Sequence, residues 1–140
     1  MPRRLLLTLA VAVAALATVA ALASPAKTAV RPPAIKLTDS QFGAILATRT
    51  RRALYVWDAE KDFKVECTES CAAVWPPLVV RSAAAVPKKV AGIKGMFGVV
   101  RRPEGTLQVT YDGRPVYTYA HEGPNEVRCD NVEGWFVVRV

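Results

Sequence analysis

The sequence is poor in the residues that carry most chemistry. It holds one histidine and three cysteines, with three tryptophans, four tyrosines and four phenylalanines, in 140 residues. A single histidine excludes a multi-histidine metal centre or a haem held by two histidines of this chain. No Cys-x-x-Cys-His haem attachment, Gly-x-Ser-x-Gly elbow, phosphate-binding loop or His-Glu-x-x-His helix is present. Beyond the first 23 residues no apolar run is long enough to span a bilayer. The net charge is +7, yet no block of five or six basic residues and no nucleic-acid motif occurs. The charge is therefore read as a solvated surface that needs no anionic partner. With 22% charged residues the chain is ordinary globular material, and its length allows one domain at most.

Residues 1–23 read as a secretory signal peptide. Arg3 and Arg4 form the basic start, Leu5 to Leu22 is apolar, and Ala21-Leu22-Ala23 gives the small-x-small pattern that places cleavage before Ser24. The rival reading is an uncleaved anchor, since the run approaches the ~20 residues of a membrane span. No cysteine follows the run, so a lipid-anchored start is not written. Cleavage removes two positive charges and leaves an exported protein, periplasmic or extracellular. Residues 24–37, rich in Ala, Pro, Lys and Thr without periodicity, read as a flexible lead. The folded domain is expected over 38–140.

That domain repeats itself. Sliding the chain by 62 residues lays Gly43–Cys67 over Gly105–Cys129 without a gap. Seven of the 25 pairs are identical: Gly43/Gly105, Thr48/Thr110, Arg52/Arg114, Tyr55/Tyr117, Glu60/Glu122, Val65/Val127 and Cys67/Cys129. A tryptophan follows each cysteine, Trp75 eight residues on and Trp135 six. Half-repeats over about 43–81 and 105–140 follow.

Each copy reads as a β-hairpin. Leu107–Tyr111 alternates apolar and polar residues, Asp112-Gly113 is a strong two-residue turn, and Val116–Tyr119 returns. Pro115 cannot donate to a ladder and belongs at a strand start or edge. In the first copy Ala44–Arg49 and Ala53–Asp58 play the same parts around the weaker Thr50-Arg51 turn. Gly134–Val140 forms the last strand, and Met96–Val100 offers a further one. Ser82–Ala91 reads as a connecting loop. A cap at Asp39-Ser40 would start a helical turn over Gln41–Leu46, in competition with the strand there. A short helical turn is expected at Ser70–Val74, ended by Pro76-Pro77. The fold class is therefore all-β: a small domain of two related hairpin-containing halves with a helical turn near Cys67 and Cys71. Trp57, Trp75, Trp135, Tyr55, Tyr117 and Phe136 are the expected core.

Three passages carry a resemblance. Cys67-Thr-Glu-Ser-Cys71-Ala-Ala-Val-Trp75-Pro76-Pro77-Leu78 resembles the C-x-x-x-C-A-x-x-W-P-P-L segment of a bacterial family of secreted repeats of unknown function, also described as predicted lipoproteins with a Tyr-x-aromatic-x-x-Asp motif. Leu54–Glu60 is similar to its L-Y-x-F-x-x-D, and Gln108–Tyr117 to its Q-V-T-Y-x-G-x-P-L-Y. The resemblance covers about residues 43–135. Three features depart from it: the motif's aspartate is Glu60 in one copy and Glu122 in the other, there is no lipid-attachment cysteine to carry the lipoprotein label over, and Cys129 lies outside the pattern. It implies an exported, repeat-built β domain and no established catalysis.

The chemistry available is limited. Cys67 and Cys71, in an oxidising compartment, default to a disulfide that clips the Trp75 segment, with Cys129 free. Pairing of Cys129 with either other cysteine, or an intermolecular Cys129 disulfide that links a dimer, remains open. Cys67, Cys71, Cys129 and His121 are the metal-ligand candidates, suited to zinc or copper(I); the Cys-x-x-x-Cys spacing is tolerable, but His121 lies eight residues before Cys129 without a supporting signature and aligns with Ala59. Glu60 and Glu122 would serve as acid and base if they met in a cleft, but hydrogen bonds to their own turns, or ion pairs with Arg52 and Arg114, account for them more simply. Tyr55, Trp57, Glu60, Trp75, Tyr117, Tyr119 and Glu122 form the candidate ligand surface. The expected function is an exported structural or binding module that meets a protein or small molecule in the cell envelope, without catalysis or cofactor. A redox, electron-transfer or metal-binding accessory built on the cysteines and strand aromatics is the alternative.

Overall fold

The computed structural model describes residues 24, 29–39 and 41–140. The expected signal peptide, and part of the lead, lie outside the described residues. Strands dominate. β1 (Ala34–Asp39) and β2 (Gly43–Thr48) form an antiparallel pair, joined where Asp39 Oδ1 accepts the amides of Gln41 and Phe42 at 2.7 and 3.0 Å. That aspartate turn, with Gly43 at φ +73°, replaces the helical turn expected over Gln41–Leu46. β3 (Tyr55–Trp57) pairs with β8 (Trp135–Val137). β4 (Val79–Val80), β5 (Phe97–Arg101) and β7 (Arg114–Pro115) all pair with β6 (Leu107–Tyr111). The helix α1 (Glu69–Val74) follows Cys67, and a 3₁₀ turn (Ala83–Ala85) lies in the connection between the halves.

Both expected hairpin turns form, in different ways. Asp112 and Gly113 both adopt positive φ, +49° and +76°, as a type I′ turn requires. In the first copy Thr48 N–H donates to the Arg52 carbonyl at 2.8 Å, so three residues, Arg49 to Arg51, make the loop. Arg51, at φ +66°, supplies the left-handed residue that such a loop needs. Pro115 pairs with Thr110 at the end of its ladder.

β1 corrects the expected boundary. It begins at Ala34, inside the stretch read as a lead, because Ala34 and Leu37 are buried against the body of the domain. β1 holds the place beside β2 that β5 holds beside β6. The repeat therefore starts one strand earlier in each half than the residue identities suggested: β1 to β4 in the first half, β5 to β8 in the second. Composition hid β1, since only two of its six residues, Ala34 and Leu37, are buried and its approach is Pro32-Pro33.

The halves are interlocked. β4, which ends the first half, pairs with β6 of the second. β8, which ends the second half, pairs with β3 of the first. Beyond β8 the Leu46 N–H bonds to the Val138 carbonyl, and Val140 N–H to that of Ala44. Each half thus lends its last strand to the other.

Strand alternation then builds two cores, since successive side chains leave opposite faces. Leu46, Leu54, Val56, Val109, Val116 and Val138 enter one cluster. Ile45, Ala47, Ala53, Tyr55, Tyr117 and Val137 enter the other, with Trp75 and Trp135. Strands buried on both faces leave little room for polar substitution.

Candidate functional site

The second cluster lies on the local two-fold relation between the halves. Tyr55 and Tyr117 exchange backbone hydrogen bonds, N–H to carbonyl, at 2.8 and 3.0 Å. Their hydroxyls cross over. Tyr117 Oη donates to Glu60 Oε1 at 2.9 Å, and Tyr55 Oη donates to Glu122 Oε1. Each tyrosine therefore reaches the acid of the other half.

The acids are fixed from their own side too. Glu60 Oε1 accepts the amides of Glu66 and Cys67, both at 2.7 Å, and Glu122 Oε1 accepts the amide of Arg128 at 2.6 Å. The own-turn reading of these glutamates holds. The ion pairs expected with Arg52 and Arg114 do not form. Arg52 Nη2 donates instead to the Tyr119 carbonyl at 2.7 Å, and Arg114 Nη2 to the Trp57 carbonyl at 3.1 Å and to Asp58. These contacts also cross between halves, and they explain why the arginine recurs in both copies.

Burial sets the electrostatics. It raises the Glu122 carboxyl above the ordinary carboxylate range, against the Tyr55 and Arg128 hydrogen bonds that lower it. Burial first, then the nearby glutamate, holds the Tyr55 and Tyr117 hydroxyls far above the usual phenol range. These phenols stay protonated as donors. Glu60 and Glu122 are both buried, and the second oxygen of each has no hydrogen-bond partner among the described residues.

Around this centre the aromatics form a continuous chain. Trp57 stacks on Trp135 at 5.5 Å between ring centroids, Trp135 on Trp75 at 3.9 Å, Trp75 meets Tyr119 at 4.8 Å, and Tyr119 meets His121 at 5.3 Å. Tyr55 and Tyr117 set their edges against Trp75 and Trp135 respectively. The candidate ligand surface of the sequence is thus brought together, but as packed core rather than open cleft.

Cys67 and Cys71 are joined in a disulfide at the start of α1. Cys129 keeps its thiol. It occupies the Cys67 position of the second half, where the loop to the tryptophan is two residues shorter and no counterpart of Cys71 exists. Burial, then Glu122, raises its thiol above the ordinary range. His121 is exposed against Tyr119 and does not join the cysteines. Among the described residues no group of three or more His, Cys, Asp or Glu side chains is arranged to hold a metal. No helix among them is long and apolar enough to cross a membrane.

Sequence reasoning passed over Arg102. Read as one of several scattered basic residues, it is in fact buried, donating to Gln108 Oε1 at 2.7 Å and to the Cys67 carbonyl at 2.8 Å. Gln108 in turn donates to the Val116 carbonyl at 2.9 Å. The sequence carried no signal for it, since Gln108 falls at a polar position of the alternating Leu107–Tyr111 strand, whose polar side chains Gln108 and Thr110 are in fact buried.

Residues 98–139 match the family model of a secreted repeat of unknown function. The match takes in the greater part of one structural half, from β5 to beyond β8. The interlocked two-fold contacts extend the same architecture to the first half. No curated protein and no solved structure matches the chain. The secreted-repeat description is consistent with an exported protein.

Proposed function

We propose that the chain is an exported, non-catalytic binding module, released by cleavage before Ser24 into the periplasm or the medium. One observation carries this reading: both motif acids are buried, and one oxygen of each is committed to fixed donors, a tyrosine from the other half and amides of its own loop. An acid held in that way locks the two halves and faces no substrate. The disulfide at the start of α1 serves the same end by clipping the segment that carries Trp75. The test replaces each acid with its isosteric amide. Glu60→Gln and Glu122→Gln should change unfolding behaviour while leaving partner capture from the cell envelope intact in the folded protein. A variant that folds as stably as the parent and loses a turnover reaction would contradict it.

A redox accessory is the second reading. It is favoured by the unbroken ring chain from Trp57 to His121, which passes beside the disulfide-bearing segment. Thiol–disulfide equilibration followed by tryptophan fluorescence separates the two. A structural clip resists reduction, with a potential below about −300 mV, whereas a working redox pair lies higher.

A further inference from the structure

Two equivalent corners of the domain share a backbone and differ in side chains. At one the Arg51 carbonyl accepts the Asn125 amide at 2.9 Å, and at the other the Gly113 carbonyl accepts the Phe63 amide at 2.8 Å. These four residues correspond under the 62-residue repeat. Arg51 Nε also donates to Asn125 Oδ1 at 2.7 Å and closes its corner. Gly113 has no side chain to do the same, and Phe63 stands 53% exposed. Phe63 sits at φ +61°, where asparagine is tolerated and a bulky aromatic is a steric outlier. The preceding residues differ as well. Thr50 and Pro124 come before the closed pair, Asp112 and Asp62 before the open one. Two carboxylates and a strained, wet ring are thus gathered where the other corner has neither.

The open corner is one wall of a cleft of about 600 Å³, within the ~300–1,000 Å³ usual for small-molecule sites. Phe63, Met96, Phe97, Val86 and Val99 make it mostly apolar, and Asp62, Asp112 and Lys88 are its charged groups. None of those three is in an ion pair among the described residues. Backbone pairing fixes where each sign stands. Asp112 Oδ1 accepts the Met96 amide at 2.7 Å, and the Asp112 amide donates back to the Met96 carbonyl at 2.8 Å. This carboxylate is therefore held at the turn that follows β6. Asp62 precedes Phe63, whose amide bonds to the Gly113 carbonyl, so the second carboxylate belongs to the same wall. Lys88 lies across β5 from them. Its carbonyl accepts the Phe97 amide at 2.9 Å, while Phe97 pairs on its other side with Tyr111 of β6. Cation and carboxylates thus stand on opposite walls, with backbones two strand spacings, or about 10 Å, apart.

We infer that this cleft binds a short apolar peptide with both termini free. The ammonium end would meet Asp62 and Asp112, the carboxylate end Lys88, and the side chains would lie against Phe63 and Met96. Opposite charges on opposite walls select a ligand charged oppositely at its two ends. The exposed ring and thioether recognise the apolar body between them. An extended chain advances about 3.3–3.6 Å per residue, so two or three residues match the span. A single amino acid carries both charges on one carbon and leaves most of the apolar surface uncovered. The inference rests on the reading of the chain as a binding module. Its test touches no residue of the Tyr–Glu seam and reads binding rather than unfolding, so either can fail alone.

The probe is the tripeptide Ala-Phe-Ala with free termini, compared with its N-acetylated form, its C-amidated form and phenylalanine. Each is titrated into the ¹⁵N-labelled mature protein and followed by amide chemical shifts, which also report whether every variant is folded. The free tripeptide should move the amides of Phe63, Met96, Gly98 and Gly113 and bind more tightly than phenylalanine. Acetylation and amidation should each weaken it about two- to fivefold, the loss expected of one exposed ion pair. Asp62→Asn with Asp112→Asn keeps an acceptor for the Met96 amide. In that variant acetylation should cost nothing further, while amidation still does. In Lys88→Gln the reverse should hold. Phe63→Asn, which copies the closed corner, should weaken every probe. No shifts at the cleft, phenylalanine as tight as the tripeptide, or an acetylation effect that survives the loss of both aspartates would overturn the inference.

Discussion

Glu60 gathers three donors from both halves at a single oxygen, two of them buried, so its removal has a calculable cost. In Glu60→Ala the Tyr117 hydroxyl and the Cys67 amide lose their acceptor in the core, while the half-buried Glu66 amide can turn to water. Each buried orphan costs about 1–3 kcal/mol, and the small cavity adds to that. The expected loss is about 3–5 kcal/mol, a large part of the roughly 5–15 kcal/mol that holds a domain of this size. At about 4 °C per kcal/mol for a ~100-residue domain, Tm should fall by roughly 12–20 °C. Glu60→Gln keeps an acceptor of the same shape and gives up the charge, and should cost about 1–2 kcal/mol. Tyr117→Phe alone should cost about 1.5–3 kcal/mol, the range for a hydrogen bond to a charged group, but little once Glu60 is alanine. A double-mutant cycle by urea unfolding reads that coupling directly. Single-mutant costs that add within about 0.5 kcal/mol would refute the direct bond between the halves.

Three further outcomes follow from the same geometry. Because burial raises the Glu122 carboxyl, the folded state holds its proton more tightly than the unfolded chain, so this group's contribution falls as pH rises from about 4.5 through the raised value. Glu122→Gln should remove that fall; unfolding curves of parent and variant from pH 4 to 7 should converge at the acid end and diverge, variant more stable, towards neutrality. Arg102→Leu strips the buried support from the Cys67 carbonyl and from Gln108, and should cost about 2–4 kcal/mol; a change below about 0.5 kcal/mol by chemical unfolding would show that the contact contributes nothing. Cys67→Ser with Cys71→Ser opens a loop of only a few residues, so it should cost less than the ~3 kcal/mol of a 15-residue loop and leave a folded protein, as circular dichroism would show.

Much of this molecule was legible from the sequence because duplication writes each feature twice. The recurrence of Tyr, Glu and Arg at a spacing of 62 marked the residues that later proved to touch across the two-fold. The Asp112-Gly113 turn, the helix after Cys67 and the all-β class followed from local chemistry. Partnership did not follow. Nothing local tells Tyr117 to bond Glu60 rather than Glu122, or sends Arg52 to the Tyr119 carbonyl instead of an acid. Those choices come from the exchanged last strands, a long-range property of the fold. β1 was missed because a half-buried strand of mixed composition looks like lead when it follows two prolines.

The central claim is that neither half completes its sheet without the other. It is tested most directly by splitting the chain between Ser82 and Ala83 and comparing residues 29–82, residues 83–140 and their equimolar mixture by circular dichroism and amide spectra. Each half should lack a folded monomer, and the mixture should recover the dispersed spectrum and cooperative unfolding of the intact domain. A half that folds by itself as a stable monomer would contradict the account.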